Sequence, residues 1–238
     1  MKASTVFVLI AGMTACGGGG GGDAPQPTPA TQPAVAKHVV VRQYGDSTTV
    51  GLTYQNGAYV TAKPTAAERL YADLQAQFGG SVTVDVQGVS STCAVNLLNG
   101  DGVHAPFAQE IQTTSAQIAS FNFGINDSYY CGETADSFAT HLGQLVDLAR
   151  AAGKTVVLEE PNPVNTSKIP NLAAFSAIVG QVAAAKNVPL VQQYAYIQSL
   201  SVWEQMLPDG IHPDSALYAI KGAREAQVIA PIVSQLLK

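Results

Sequence analysis

From residue 38 onward, β-branched runs alternate with helical stretches, and that alternation leaves the chain few architectures. Residues 38–44 are a β-branched run that stops at Gly45, so they read as a strand. Residues 82–86, closed by Gly88, and residues 117–123, closed by Gly124, read the same way, as do residues 155–158 and 188–191. Between them, residues 66–78 place Leu70, Leu74 and Phe78 at helical spacing, with Pro64-Thr65 as a start signal and Gly79-Gly80 as a stop. Residues 135–152 form a long amphipathic helix ending at Gly153, residues 172–185 are helical again, and residues 215–237 make a last helix. Apolar strands separated by helices predict an α/β fold, a parallel sheet covered on both faces. In such sheets ligands sit at the carboxyl ends of the strands, where the loops gather.

Composition narrows the function. The chain has 238 residues and is 47% hydrophobic, ample for one packed core. With 17 Asp+Glu against 12 Lys+Arg, little is left to neutralise phosphates, which argues against a nucleic-acid partner. Three cysteines build neither a dense disulfide framework nor a four-ligand zinc site, and no metal or cofactor is expected.

The start of the chain is different in kind. Met1-Lys2 is a short positive start, and residues 6–11 are an apolar stretch far below the ~20 residues that span a bilayer, so residues 1–15 read as an export signal. Met13-Thr14-Ala15-Cys16 resembles a bacterial lipoprotein cleavage box, with Met13 where Leu is usual. That resemblance implies that Cys16 becomes the first mature residue and carries a lipid. The glycines of residues 17–22 match G-x-G-x-x-G by repetition alone, with no strand before and no helix after, so they are not a nucleotide site. With the Pro-rich stretch that follows, residues 16–36 read as a tether, flexible and then extended at ~3.1 Å per residue. The expectation is a folded domain over residues 37–238, exported and lipid-anchored in a bacterial outer membrane, or else secreted.

Four places carry chemistry, three at strand ends and one before the last helix. Gly45-Asp46-Ser47 puts a serine at the carboxyl edge of the sheet; the plain alternative is that Ser47 caps a following helix. Phe123-Gly124-Ile125-Asn126-Asp127 can present the Asn126 amide as a donor over the same edge, or simply form a turn. Gly88 ends the second strand, where a backbone N–H can approach a ligand. Asp209-Gly210-Ile211-His212-Pro213 can set a carboxylate against one imidazole nitrogen and leave the other as a base. Asp101-Gly102-Val103-His104 nearly repeats that motif, and spacing alone does not separate the two.

Taken together and in this order, these motifs resemble the SGNH, or GDSL-type, hydrolase superfamily, over about residues 38–236. Thr48 stands where the name-giving motif has Leu. No G-x-S-x-G elbow occurs, which argues against the ordinary α/β-hydrolase fold. The resemblance implies a three-layer α/β/α sandwich around a flavodoxin-like five-stranded parallel sheet of order 2-1-3-4-5. It implies Ser47 as nucleophile, His212 as general base and Asp209 as its orienting group. The oxyanion hole would be the Ser47 and Gly88 backbone N–H groups and the Asn126 amide. Family order places the base before the final helix, which selects His212 and leaves His104 as a cleft-lining, surface or structural residue. Asp46 and Asp127 are expected to brace their turns, His38 and His141 to be structural, and Glu159-Glu160 to be solvated loop carboxylates. The implied strand order brings Cys93 and Cys131 to either side of the first strand, so a disulfide between them is expected in an oxidising compartment. That cross-link would remove roughly 4 kcal/mol of unfolded-chain entropy.

The implied activity is a monomeric serine esterase that cleaves a lipid, acylated-glycan or small ester through an acyl-enzyme. The alternatives are an acyltransferase, thioesterase or lysophospholipase on the same residues, or a non-catalytic carbohydrate- or lipid-binding lipoprotein. Tyr54, Tyr59, Tyr129 and Tyr130 fall in loops expected at the rim of the cleft.

Overall fold

The computed structural model describes residues 37–238. The expected export signal, Cys16 and the tether of residues 16–36 lie outside the described residues. Along the chain, β1 (Val39–Gly45) leads into α1 (Ser47–Val50), a hairpin of β2 (Leu52–Gln55) and β3 (Ala58–Thr61), and then α2 (Ala66–Phe78). β4 (Val82–Gly88) precedes α3 (Ala94–Asn99) and α4 (Phe107–Thr113), and β5 (Ile118–Asn122) precedes α5 (Ile125–Tyr129) and α6 (Ala135–Ala151). The rest is β6 (Thr155–Glu159), α7 (Leu172–Lys186), β7 (Leu190–Val191), α8 (Tyr194–Gln198) and α9 (Ser215–Leu236).

β4, β1, β5, β6 and β7 form one sheet in that order, every pairing parallel. Counted along the sheet's own strands, this is second, first, third, fourth and fifth. Side-chain alternation then sorts the core into two layers. Val39 and Val41, Ile118 and Val157 pack with Leu70 and Leu74 of α2 and Ile229 and Val233 of α9. The opposite face carries Tyr44, Phe121, Val156 and Leu158, covered by Leu97, Phe107, Phe138, Leu145 and Val179 from α3, α4, α6 and α7. Each such aliphatic or aromatic side chain, fully buried, contributes ~1.5–3 kcal/mol.

α2 starts where the sequence says it should. Thr65 Oγ1 accepts from the Glu68 N–H at 3.1 Å and Glu68 accepts from the Thr65 N–H at 2.9 Å, a closed capping box. The β2–β3 hairpin is an addition to the expected elements. β3 is exposed along its whole length, so it carries no half-buried alternation to read. Its turn holds Asn56 at φ +51° and Gly57 at φ +83°, the Asn-Gly pair that a tight hairpin favours. One bond roots the hairpin in the body, Tyr218 Oη of α9 donating to Leu52 O at 2.7 Å, and Ala62 N–H closes the two legs on Gly51 O at 2.8 Å.

Candidate active site

The turn after β1 frees a serine. Asp46 caps α1, its Oδ1 accepting from both the Thr48 N–H and the Thr48 hydroxyl at 2.8 Å. Capping therefore falls to Asp46, and Ser47 enters as the first helical residue with its hydroxyl uncommitted to the backbone. Burial pushes the Asp46 carboxyl up, against the pull of those Thr48 donors. Ser47 Oγ lies 2.9 Å from His212 Nε2, across 165 residues of sequence.

The imidazole is held by its own turn. Asp209 Oδ1 accepts from the Ile211 N–H at 3.0 Å and the His212 N–H at 2.7 Å, while Oδ2 stands 2.6 Å from His212 Nδ1. Burial pushes the Asp209 carboxyl up, but the His212 and Ile211 donors outweigh it and hold it below the usual carboxylate range. The turn needs glycine at its second position. Gly210 has φ +81°, and a Cβ there would meet Asn165 O at 2.6 Å. With Nδ1–H donated to Asp209, Nε2 is left as the acceptor that a serine O–H requires.

Asn126, at the start of α5, reaches the same cleft, and its Nδ2 donates to Thr92 O at 3.0 Å. Two links fix the segments involved. Asp127 Oδ1 accepts from the Ala94 N–H at 2.7 Å and Oδ2 from the Gly124 N–H at 2.8 Å, so one carboxylate ties the start of α3 to the turn before α5. Burial pushes that carboxyl up to about 7, with the backbone donors opposing. The expected disulfide joins Cys93 to Cys131 with Cα atoms 6.5 Å apart, within the span a disulfide allows.

Gly88 is corrected. It does not line the cleft; a Cβ there would meet Val50 N at 2.8 Å and Asp46 O at 3.0 Å, so its bareness lets β4 pass close under α1. The chain runs on past Gly88 before it turns over Ser47, and the residues that face the cleft are Ser90 and Ser91. Ser91 has φ +65°, a left-handed conformation that L-residues other than Gly, Asn and Asp seldom adopt. Nothing in the residue type signals this.

The second Asp-Gly-x-His motif is not at the cleft. His104 is buried, its Nδ1 2.7 Å from Asp101 Oδ2 and its Nε2 3.0 Å from Gln87 Oε1, edge-on to Tyr44. Its role is structural. The expectation of a solvated carboxylate also fails at residue 159. Glu159 continues the Val157 alternation toward α9, where it is buried beside Ser120, Lys221 and Glu225. Burial first, and the Glu225 carboxylate second, push its carboxyl up to about 8. Glu160 accepts from the Tyr194 N–H at 2.9 Å.

Ser47, Asn126 and His212 open into a cleft of about 310 Å³ with aliphatic walls from Leu52, Ile125, Ile169 and Ile211. Tyr59, Tyr129 and Tyr130 form its rim, and Tyr54 packs edge-on behind Tyr59. Among the described residues, no group of three or more His, Cys, Asp and Glu side chains is placed to hold a metal ion.

A serine, an imidazole and a carboxylate in a hydrogen-bonded chain at the carboxyl edge of a parallel sheet define a hydrolase built for acyl groups. The model of the GDSL-like lipase/acylhydrolase family matches residues 44–220, and the chain belongs to that family. It is a carboxylic ester hydrolase. No curated protein sequence matches it. Among solved structures, a lipase/acylhydrolase from Enterococcus faecalis superposes with a TM-score of 0.66 at 19% identity, covering 82% of this chain and 96% of that one. An acetylxylan esterase from Geobacillus stearothermophilus superposes with a TM-score of 0.61 at 16% identity, covering 83% and 95%. Identities this low make the likeness one of fold.

Proposed function

We propose that the protein is a serine esterase acting through an acyl-enzyme, with Ser47 as nucleophile, His212 as general base and Asp209 as the group that orients it. The observation that carries this is the unbroken chain from Ser47 Oγ to His212 Nε2 at 2.9 Å and from His212 Nδ1 to Asp209 at 2.6 Å. In acylation, His212 takes the serine proton as Oγ attacks the ester carbonyl, then delivers it to the departing alkoxide. Water repeats the sequence in reverse and frees the acid.

The tetrahedral intermediate places a full negative charge on one oxygen. We assign its donors to the backbone N–H groups of Ser47 and Ser91 and to the second N–H of the Asn126 amide, the first being given to Thr92 O. Ser91 takes the role first given to Gly88, because Ser91 lines the cleft and Gly88 does not. Each donor lowers the barrier by ~3–4 kcal/mol. The cleft volume lies at the low end for ligand sites. That size and the acetylxylan esterases among the fold neighbours support a short-chain ester of a carbohydrate as substrate. The Met13–Cys16 box supports an exported, lipid-anchored protein.

The experiment is a fluorophosphonate label with mass mapping, alongside an ester panel with acyl chains from acetyl to palmitoyl. Label on Ser47, and an activity lost in Ser47→Ala, are the expected results. A label on another serine overturns the assignment. Product analysis with an added alcohol separates hydrolase from acyltransferase.

A further inference from the structure

We propose that the β2–β3 hairpin is the alcohol-side platform of the cleft, and that Tyr59 selects esters whose leaving group is a pyranose ring. This rests on the Ser47–His212 reading above. The leaving oxygen must come within hydrogen-bond reach of His212 Nε2 to receive its proton, so the alcohol projects past the His212 imidazole. The aromatic ring that stands there is Tyr59. Its centroid is 5.4 Å from that of His212 in an edge-to-face arrangement, and the residue is 57% exposed. Tyr54 braces it from behind, edge-on at 5.2 Å.

Tyr59 meets the catalytic turn through its hydroxyl, which lies beside the Asp209 carboxylate, and through its edge-to-face contact with His212, but the hairpin's fold does not need the ring. β3 buries none of its four residues, and Tyr59 and Val60 both face solvent. Its base is nonetheless firm: Thr53 is fully buried, the Tyr218 hydrogen bond holds β2 to the body, and the Ala62 N–H closes the two legs on Gly51 O. A rigid base under an exposed aromatic face is the construction of a binding surface, since ordering costs are met before the ligand arrives.

The ring chemistry points to the class of alcohol. The face of a tyrosine is electron-rich, and the C–H groups on one face of a pyranose carry partial positive charge, while its hydroxyls point outward into water. A rigid pyranose chair also loses less conformational freedom on an open platform than a flexible alkyl alcohol does. The aliphatic side chains of Leu52, Ile125, Ile169 and Ile211 wall the cleft itself, whereas the exposed Tyr59 ring encloses nothing on the alcohol side.

The test holds the acyl group constant and varies the alcohol. kcat/KM is measured for methyl acetyl-β-xylopyranoside and for ethyl acetate with the full chain and with Tyr59→Ala, Tyr59→Phe and Tyr59→Trp. The expected result is that the pyranoside-to-ethyl ratio falls about tenfold or more in Tyr59→Ala and is restored by Phe and Trp, which keep the ring. A ratio within about twofold of the parent in Tyr59→Ala overturns the platform. So does an equal loss on both esters, which would make Tyr59 a support for His212 alone. Ethyl acetate hydrolysis that survives Ser47→Ala would instead overturn the esterase assignment beneath it.

Discussion

His212 and His104 sit in two turns of one kind, and the partner of Nε2 sets them apart. In each, an aspartate three residues earlier accepts from the histidine N–H at 2.7 Å and holds Nδ1 at 2.6 or 2.7 Å, across a glycine with φ above +80°. His212 Nε2 meets a serine hydroxyl; His104 Nε2 meets the Gln87 amide oxygen. His212→Ala is therefore expected to lower kcat by about 10²–10⁴-fold with the fold intact. His104→Ala should keep its chemistry and lose ~1–3 kcal/mol of stability, because it leaves Asp101 and Gln87 without their partner. Ester kinetics and urea denaturation on the two variants check this, and the opposite pairing of effects would reverse the roles.

The exchange of Gly88 for Ser91 makes a second prediction. Ser91→Gly keeps the backbone N–H and removes left-handed strain of ~1–2 kcal/mol, so activity should persist and the variant should be no less stable. Ser91→Pro removes the N–H and imposes φ near −65°, and activity should collapse. Gly88→Ala should lose activity by another route, since its Cβ would press on the backbone of α1 at Val50 N and Asp46 O. Overpacking of this kind costs ~1–3 kcal/mol. Fluorophosphonate labelling rates and thermal melts distinguish the two.

These cases also mark what a sequence can and cannot say. The sheet strands to within two residues, α2 and α6 to within one, and the three groups that converge at the cleft were readable, because period, caps and turn glycines are local properties. α1, α3, α5 and α8 span at most six residues each, too short for a helical period to register. Asn56-Gly57, flanked by Leu52-Thr53-Tyr54 and Ala58-Tyr59-Val60-Thr61, was a readable hairpin signal. Ser91 was not readable at all, since a positive φ at serine is set by how β4 exits the sheet. Glu159 read as solvated because carboxylates usually are; only strand alternation carried through Val157 places it inside.

The disulfide gives a third test. Cys93 lies at the start of α3 and Cys131 just beyond α5, so their bond spans the Ser91–Thr92 segment and the Asn126 helix. Removing it with Cys93→Ser/Cys131→Ser should cost up to ~4 kcal/mol in the chain-entropy account. It should also slow fluorophosphonate labelling, because the Asn126–Thr92 hydrogen bond would be held by Asp127 alone. Urea unfolding with and without reductant measures the first effect on the parent protein. Equal midpoints would mean that the cross-link contributes nothing to stability.

The pH dependence of stability follows from buried carboxyls. Glu159 is raised from 4.5 to about 8 and Asp127 from 3.8 to about 7, in both cases chiefly by burial. Between the ordinary and the raised values the folded chain holds protons that the unfolded chain has released, so stability falls as pH rises through that interval. Asp209 and Asp101 act the other way. Both are held low, so their contribution is present above pH 3.8 and is lost as pH falls through their folded values. Lys221, whose ammonium is disfavoured by burial, acts in the opposite sense to Glu159, its penalty lifting as pH rises through its lowered value. The balance puts maximal stability in mildly acidic solution, with Tm declining from about pH 5 to pH 8. Glu159→Gln keeps an acceptor for the Ser120 hydroxyl but cannot titrate, so calorimetry across that range should give a shallower decline than the parent shows. A parent Tm that climbs from pH 5 to pH 8 would mean that Glu159 and Asp127 are ionised in the fold, with their backbone and Lys221 partners outweighing burial.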